Sequence, residues 1–298
     1  MSEWLSNGLI ASLVAATFRV STPLILAALG GLFSERSGVV NIALEGMMLM
    51  GALVAAMTTL TLHSPMLGMM AGMGGGVVMA AVYGLFAIRF RANQIVAGTA
   101  VNMLAAGVAP FVCKIFYGVT GSTPTIPIEE RFRSFPTFLA WGLVGLVYLI
   151  FRATPFGLWV SFAGENPAAL DAAGIRVRRV RWMALMLGGC LAGLGGASLS
   201  LFLSSSFSRN MTAGRGFMAL AALIFGKWRP IPTALACLLF GFADALQIFL
   251  QGKVLWGTEP IPVQFIQILP YVVTVLVLAG FVGYSRAPKA LGLPYDRA

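Results

Sequence analysis

Charge is what this sequence has least of. Only 10% of its 298 residues are Asp, Glu, Lys or Arg, where a water-soluble domain carries about 25%. So few charges cannot cover a fold of this size with a water-facing surface, which speaks against an ordinary soluble enzyme. Histidine occurs once, at His63, beside Pro65 at the end of an apolar run. Cysteine occurs three times, at Cys113, Cys190 and Cys237, far apart and in apolar stretches. Without a C-x-x-C pair or metal-type spacing, these thiols are expected to pack rather than to ligate. No metal and no cofactor are therefore expected in this chain. None of the glycine runs has the G-x-x-x-x-G-K-[ST] spacing of a phosphate-cradling loop, so no ATP site is expected either. No catalytic constellation is visible. Met1-Ser2-Glu3-Trp4 lacks the basic stretch of a secretory leader, so the first apolar run is expected to be retained as a membrane span.

What the sequence has is long apolar runs. Hydrophobic residues make up 58% of it, and the mean hydropathy is +0.88. A spanning helix needs about 20 mostly apolar residues, because the hydrocarbon core is about 30 Å thick and the rise is about 1.5 Å per residue. Such stretches fall at 9–30, 42–62, 66–88, 93–116, 135–151, 183–204, 212–226, 232–251 and 262–283. The fold class is all-α: a polytopic helical membrane protein of about nine (eight to ten) transmembrane helices, with residues 1–298 as a single transmembrane domain. The runs at 135–151 and 212–226 are short and read as tilted, broken or re-entrant.

The net charge is +10, from 20 basic against 10 acidic residues. Its distribution argues against nucleic acid as a partner, because the basic residues sit in clusters between apolar runs. These are Arg89 with Arg91, Arg152 with Arg176, Arg178, Arg179 and Arg181, Lys227 with Arg229, and Arg286 with Lys289 and Arg297. Nine crossings place all four on one side, which the positive-inside rule makes cytoplasmic. The C-terminus is then cytoplasmic and the N-terminus outside.

Three features stand out as candidates for function. Glu45 lies a few residues into an apolar run, with Asn41 four residues before it on the same helical face. A charge in a span normally faces a bundle interior or a water-filled path. Asn41 and Glu45 thus either line a translocation path or fix the fold through a contact of Glu45 with Arg36 or Asn41. The second feature lies in the basic loop at about 152–181. Asn166 suits an N-cap, Pro167 the first helical position, and Gly174 the position past the end. That predicts a helix of about two turns, too short to stand alone. Its face is small and Ala-rich, with Leu170 as the bulky anchor, and it reads as a piece that docks on another protein or as a loop lying on the membrane. The third is a set of intramembrane polar residues: Asn93, Gln94, Asn102, Asp244, Gln247, Gln251, Gln264 and Gln267. Those near helix ends read as hydrogen-bonding glue, and mid-span Asn102 reads as path lining. Glycines at 72–76 and 188–196 read as close helix packing. Gly38 to Leu44 is weakly echoed by Gly214 to Leu220.

Ser34 to Ala52, Asn210 to Trp228 and the tail Arg286 to Tyr295 resemble the signature segments of ABC-importer permeases in the branched-chain amino acid, ribose and nucleoside group. Within it, the chain is most similar to the nucleoside-type permeases served by lipoproteins of the basic membrane protein kind. The resemblance implies a half-transporter in a bacterial inner membrane, paired with a second homologous permease, or less readily with itself. It implies a cytoplasmic ABC ATPase that binds and hydrolyses the ATP, and an extracytoplasmic binding lipoprotein that delivers the solute. It also implies that the segment holding Glu165, Asn166, Pro167, Leu170, Asp171 and Gly174 is the coupling helix on which the ATPase docks. Nucleoside is the implied solute, with a purine base or simple sugar as alternatives. The competing reading is a secondary transporter in which Glu45 or Asp244 carries a proton.

Overall fold

The computed structural model describes residues 7–251, Ile268, Val272 and 286–295. Ten α-helices run through them: α1 Asn7–Arg36, α2 Leu44–Leu62, α3 Pro65–Gly84, α4 Gln94–Tyr117, α5 Phe135–Ala153, α6 Pro155–Glu165, α7 Pro167–Ala172, α8 Val177–Ser198, α9 Arg215–Phe225 and α10 Pro230–Leu250. Proline opens α3, α6, α7 and α10, where its missing N–H costs no hydrogen bond. Wide turns extend α3 and α8, with Phe90 N–H bonded to Leu85 C=O at 3.0 Å and Ser204 N–H to Leu199 C=O at 2.8 Å.

Seven helices among the described residues are long and apolar enough to cross a membrane. The 135–151 run, expected to be short, belongs to a full-length helix, α5. The 212–226 run is not a full crossing helix: α9 has 11 residues, about 16 Å of helix against a hydrocarbon core of about 30 Å. The run at 262–283, with Gln264 and Gln267, lies outside the described residues apart from Ile268 and Val272, as do Arg297 and the chain start. Helix α6 was not anticipated from the sequence; it fills part of the 152–181 loop.

Helix α8 is the hub, packed against α1, α2 and α3. Of its apolar window 83% is buried, against 28% for α4 and 22% for α5. Small residues make that hub possible. A Cβ added at Gly76 would lie 2.2 Å from Gly189 C=O, and one at Gly196 would lie 1.9 Å from Met48 C=O. Lipid gives helices no hydrophobic drive to associate, so backbones in this bundle gain their contact by near-touching.

Two breaks interrupt the helical order. Residues 37–43 separate α1 from α2, and 204–214 separate α8 from α9. The second break is held to the 118–134 loop by backbone bonds, Thr123 N–H to Phe207 C=O at 3.1 Å and Arg209 N–H to Gly121 C=O at 2.6 Å. At the end of the bundle where α2 stops, His63 Nδ1 and Glu130 Oε1 pair at 2.7 Å. Glu130 is thus half of a clasp between the end of α2 and the 118–134 loop.

Candidate functional site: two helix starts and a stapled end

Irregular backbone buried in a helical bundle must find its hydrogen bonds within the protein. The 37–46 segment does so with side chains from four directions. Gln94 Oε1 accepts from Val40 N–H at 2.8 Å, and the Tyr83 hydroxyl donates to Val40 C=O. Asn102 Nδ2 donates to Ile42 C=O at 2.9 Å, while its Oδ1 accepts from Gly46 N–H at 2.8 Å. Asn102 therefore closes the start of α2 from both sides. Asn41 Nδ2 donates to Ser34 Oγ at 2.9 Å. Its side chain is fully buried, and its Oδ1 has no partner.

Glu45 completes the arrangement. Its Oε1 accepts from Gly214 N–H at 2.8 Å and its Oε2 from Gly216 N–H at 2.6 Å. Those amides open α9, where unpaired N–H groups and the helix dipole favour an anion. The contact is close, since a Cβ at Gly216 would lie 2.5 Å from Glu45 N. The contacts weighed in the sequence, to Arg36 or Asn41, are not the ones made. Arg36 lies over the Phe151 ring at 5.0 Å. The two segments that echo one another in sequence thus meet in space, the start of α2 at the start of α9.

One turn along α2 and α4 from Glu45 and Asn102, a cleft of about 220 Å³ is lined by Leu49, Ala106, Ala109, Pro110, Phe207, Arg209 and Asn210. Phe207, Arg209 and Asn210 come from the second break. Asp244 lies on α10 near enough to Arg215 for their charges to attract.

The C-terminal end of α1, where the first break begins, is stapled. Arg181, 4% exposed, gives Nε to Ser37 C=O at 3.1 Å, Nη1 to Leu293 C=O at 2.9 Å and Nη2 to Ala163 C=O at 3.4 Å. One guanidinium thus ties the first break, the end of α6 and the tail to α8. The tail is further held by Ala290 N–H to Gly164 C=O at 2.7 Å and Gly292 N–H to Gly38 C=O at 3.0 Å. Glu35 is also buried there, its Oε2 accepting from Trp228 Nε1 at 2.7 Å.

Helix α7 projects from this stapled end. Asn166 Oδ1 accepts from Ala169 N–H at 3.2 Å, and Gly174 has φ +80°. Pro167 opens the helix, Glu165 ends α6, and Asp171 lies on α7. Leu170 differs from its expected place: it turns inward and is 4% exposed, so it fastens α7 to its own chain. The outward face is Ala168, Ala169 and Ala172. The sequence reading missed Arg181, Glu35, Tyr83 and Trp228. The signal for Arg181 was its spacing with Val177, Val180, Ala184 and Leu185, which puts it on the apolar face of α8.

The family model for the permease component of the branched-chain amino acid transport system matches residues 13–278. The chain is 39% identical to the guanosine ABC transporter permease protein NupQ of Bacillus subtilis, over 96% of this chain and 97% of that one. It is 37% identical to the nucleoside ABC transporter permease protein NupC of Lactococcus lactis, with the same coverage of both chains. It is 34% identical to the putative glucose ABC transporter permease protein TsgC13 of Haloferax volcanii, over 96% and 98%. No solved structure matches. With seven helices among the described residues long and apolar enough to cross a membrane, and a family match over most of its length, this chain belongs to the branched-chain amino acid transport permease family.

Proposed function

We propose that this chain is the membrane-spanning permease subunit of an ATP-driven importer and that its solute is a nucleoside. Likeness along nearly the whole chain to permeases named for guanosine and nucleosides carries this reading. A simple sugar is the second reading, favoured by the relative named for glucose. The cleft beside α2 and α4 suits a nucleoside in character: Ala106 and Pro110 offer apolar surface for a base, and the exposed Arg209 and Asn210 offer polar groups for a sugar. Asn41, Glu45 and Asn102 act on the path by holding its two helix starts in place, since their hydrogen bonds go to protein groups. Most of the discrimination rests with a separate binding lipoprotein, so the path needs only weak contact with the solute.

ATP hydrolysis takes place in a separate cytoplasmic ATPase, which docks on α7. The basic clusters support a cytoplasmic position for α6, α7 and the tail in a bacterial inner membrane. A second, homologous permease covers part of the exposed faces of α4 and α5. Motion imposed on α7 passes through α6 and Arg181 to residues 37–43, then through Glu45 to α9. The proton-coupled reading gains nothing from Glu45, whose carboxylate is taken up by two amides.

The test is uptake of labelled nucleoside into vesicles reconstituted with the permease and its partners. Uptake is expected to require ATP and the binding protein. Uptake that follows a proton gradient with no ATPase present would end the proposal. For the docking surface, Ala169→Arg is expected to leave the permease stable and to cut ATPase co-purification. Undiminished co-purification would remove α7 from that role.

A further inference from the structure

Where α1 and α5 end and α10 begins, a groove of about 350 Å³ is lined by Arg36, Arg152 and Arg229 with Tyr148, Phe151, Pro230, Ile231 and Pro232. Arg36 lies over Phe151, and Arg152 lies over the Tyr148 ring at 5.7 Å and donates to its hydroxyl. None of the three guanidiniums is within 4.0 Å of a carboxylate among the described residues. Glu165 attracts Arg36 from the end of α6, and Arg229 repels it. Glu35, the other acid nearby, is committed to Trp228. Positive charge therefore exceeds negative charge in a groove whose remaining walls are aromatic and aliphatic.

The position of the groove selects among anions. Helix α5 has 19 residues, about 28 Å, which matches the hydrocarbon thickness and puts Arg152 at headgroup level. Beyond the arginines lie exposed apolar side chains. Ile231 and Leu235 on α10 are 46% and 57% exposed. On α5, Gly145 and Gly142 continue the face of Arg152 and Tyr148, and a Cβ at either would meet nothing within 4 Å. A charged mouth thus adjoins an exposed apolar surface on α5 and α10.

We propose that this groove is a binding site for an anionic phospholipid, its phosphodiester held by Arg36, Arg152 and Arg229 and an acyl chain lying along α5. The site depends on the chain spanning a membrane and is independent of which solute is carried. Bound lipid would bridge the ends of α1, α5 and α10 beside the stapled end, which makes anionic lipid a structural component of that corner.

The test uses the purified complex of permease and partner subunits in detergent. Native mass spectrometry and thermal unfolding are followed with added dioleoyl phosphatidylglycerol, dioleoyl phosphatidylcholine or inorganic phosphate. Wild type is expected to retain and be stabilised by phosphatidylglycerol only. The double variant R152Q/R229Q is expected to lose that retention about thirtyfold. The variant R133Q, at the other end of the bundle, is expected to behave as wild type. Equal retention in wild type and R152Q/R229Q overturns the proposal. So does equal protection by inorganic phosphate, which marks a site for soluble anions. Loss of the ATPase from the double variant with lipid retention unchanged overturns it too, and marks the arginines as a protein contact.

Discussion

Replacing Glu45 with Gln is expected to loosen α9 from α2. The carboxylate accepts from two amides, at 2.8 and 2.6 Å, and bonds to a charged acceptor each contribute about 1.5–3 kcal/mol net, against about 0.5–1.5 for a neutral bond. The amide of Gln keeps one acceptor and turns its own N–H donors toward the second backbone N–H. The loss of charge at the start of α9 adds roughly 0.3–1 kcal/mol. Together the substitution is expected to cost about 3 kcal/mol, toward the lower end because Glu45 is only half-buried. Glu45→Asp keeps the charge but is one methylene shorter, and is expected to fall between. The assay is the unfolding midpoint and monodisperse yield of the purified complex, read beside solute uptake. The reasoning predicts that stability and uptake fall together. A Glu45→Gln complex as stable as wild type, with uptake abolished, would refute it and make the carboxylate a group that acts on the solute or a proton.

Asn102→Leu keeps the volume but unpairs Gly46 N–H and Ile42 C=O; at about 1–3 kcal/mol for each stranded group, the yield of folded permease is expected to drop more than for Asn102→Asp, which still accepts from Gly46. Arg181→Met removes all three bonds of the staple, a loss of roughly 3–6 kcal/mol from the two shorter charged bonds at about 1.5–3 each, and limited proteolysis is expected to cut the tail at 286–295 in the variant and spare it in wild type. Leu170→Glu is expected to destabilise the α6–α7 corner itself, because Leu170 is buried within the chain; protease cleavage near 166–176 should then appear even without any partner subunit, whereas an exposed anchor would leave the isolated permease uncut.

Hydropathy made most of the spans legible, because lipid asks for one thing: about 20 apolar residues in a row. It served less well where helices stop inside the bundle. The 212–226 run has the composition of a span, yet α9 is a half-length helix, and composition does not say whether residues 204–214 are helical. Glu45 was legible as a residue needing a partner. The partner itself was not, because backbone amides belong to every residue and these lie about 170 positions away in sequence. The cap at Asn166 and the end at Gly174 were readable because capping is local chemistry. The inward turn of Leu170 was not, since six residues give too little periodicity to tell an anchor on a partner from one on the chain's own core. Arg181 sat among four other arginines, and counting them for orientation hid the one on the apolar face of α8.

The bond from Gly292 N–H to Gly38 C=O joins residues synthesised far apart in time. A ribosome adding about 5–20 residues per second leaves roughly 10–50 seconds between Gly38 and Gly292. During that interval the first helical hairpin is in the membrane while the carbonyl of Gly38 still awaits its partner. Residues 290–293 act as a latch on the earlier-made corner, so a chain cut before Arg286 is expected to lose that closure. A tag fused after Tyr295 therefore tests whether the latch tolerates a load, and a truncation before Arg286 tests whether cells discard a permease left unlatched.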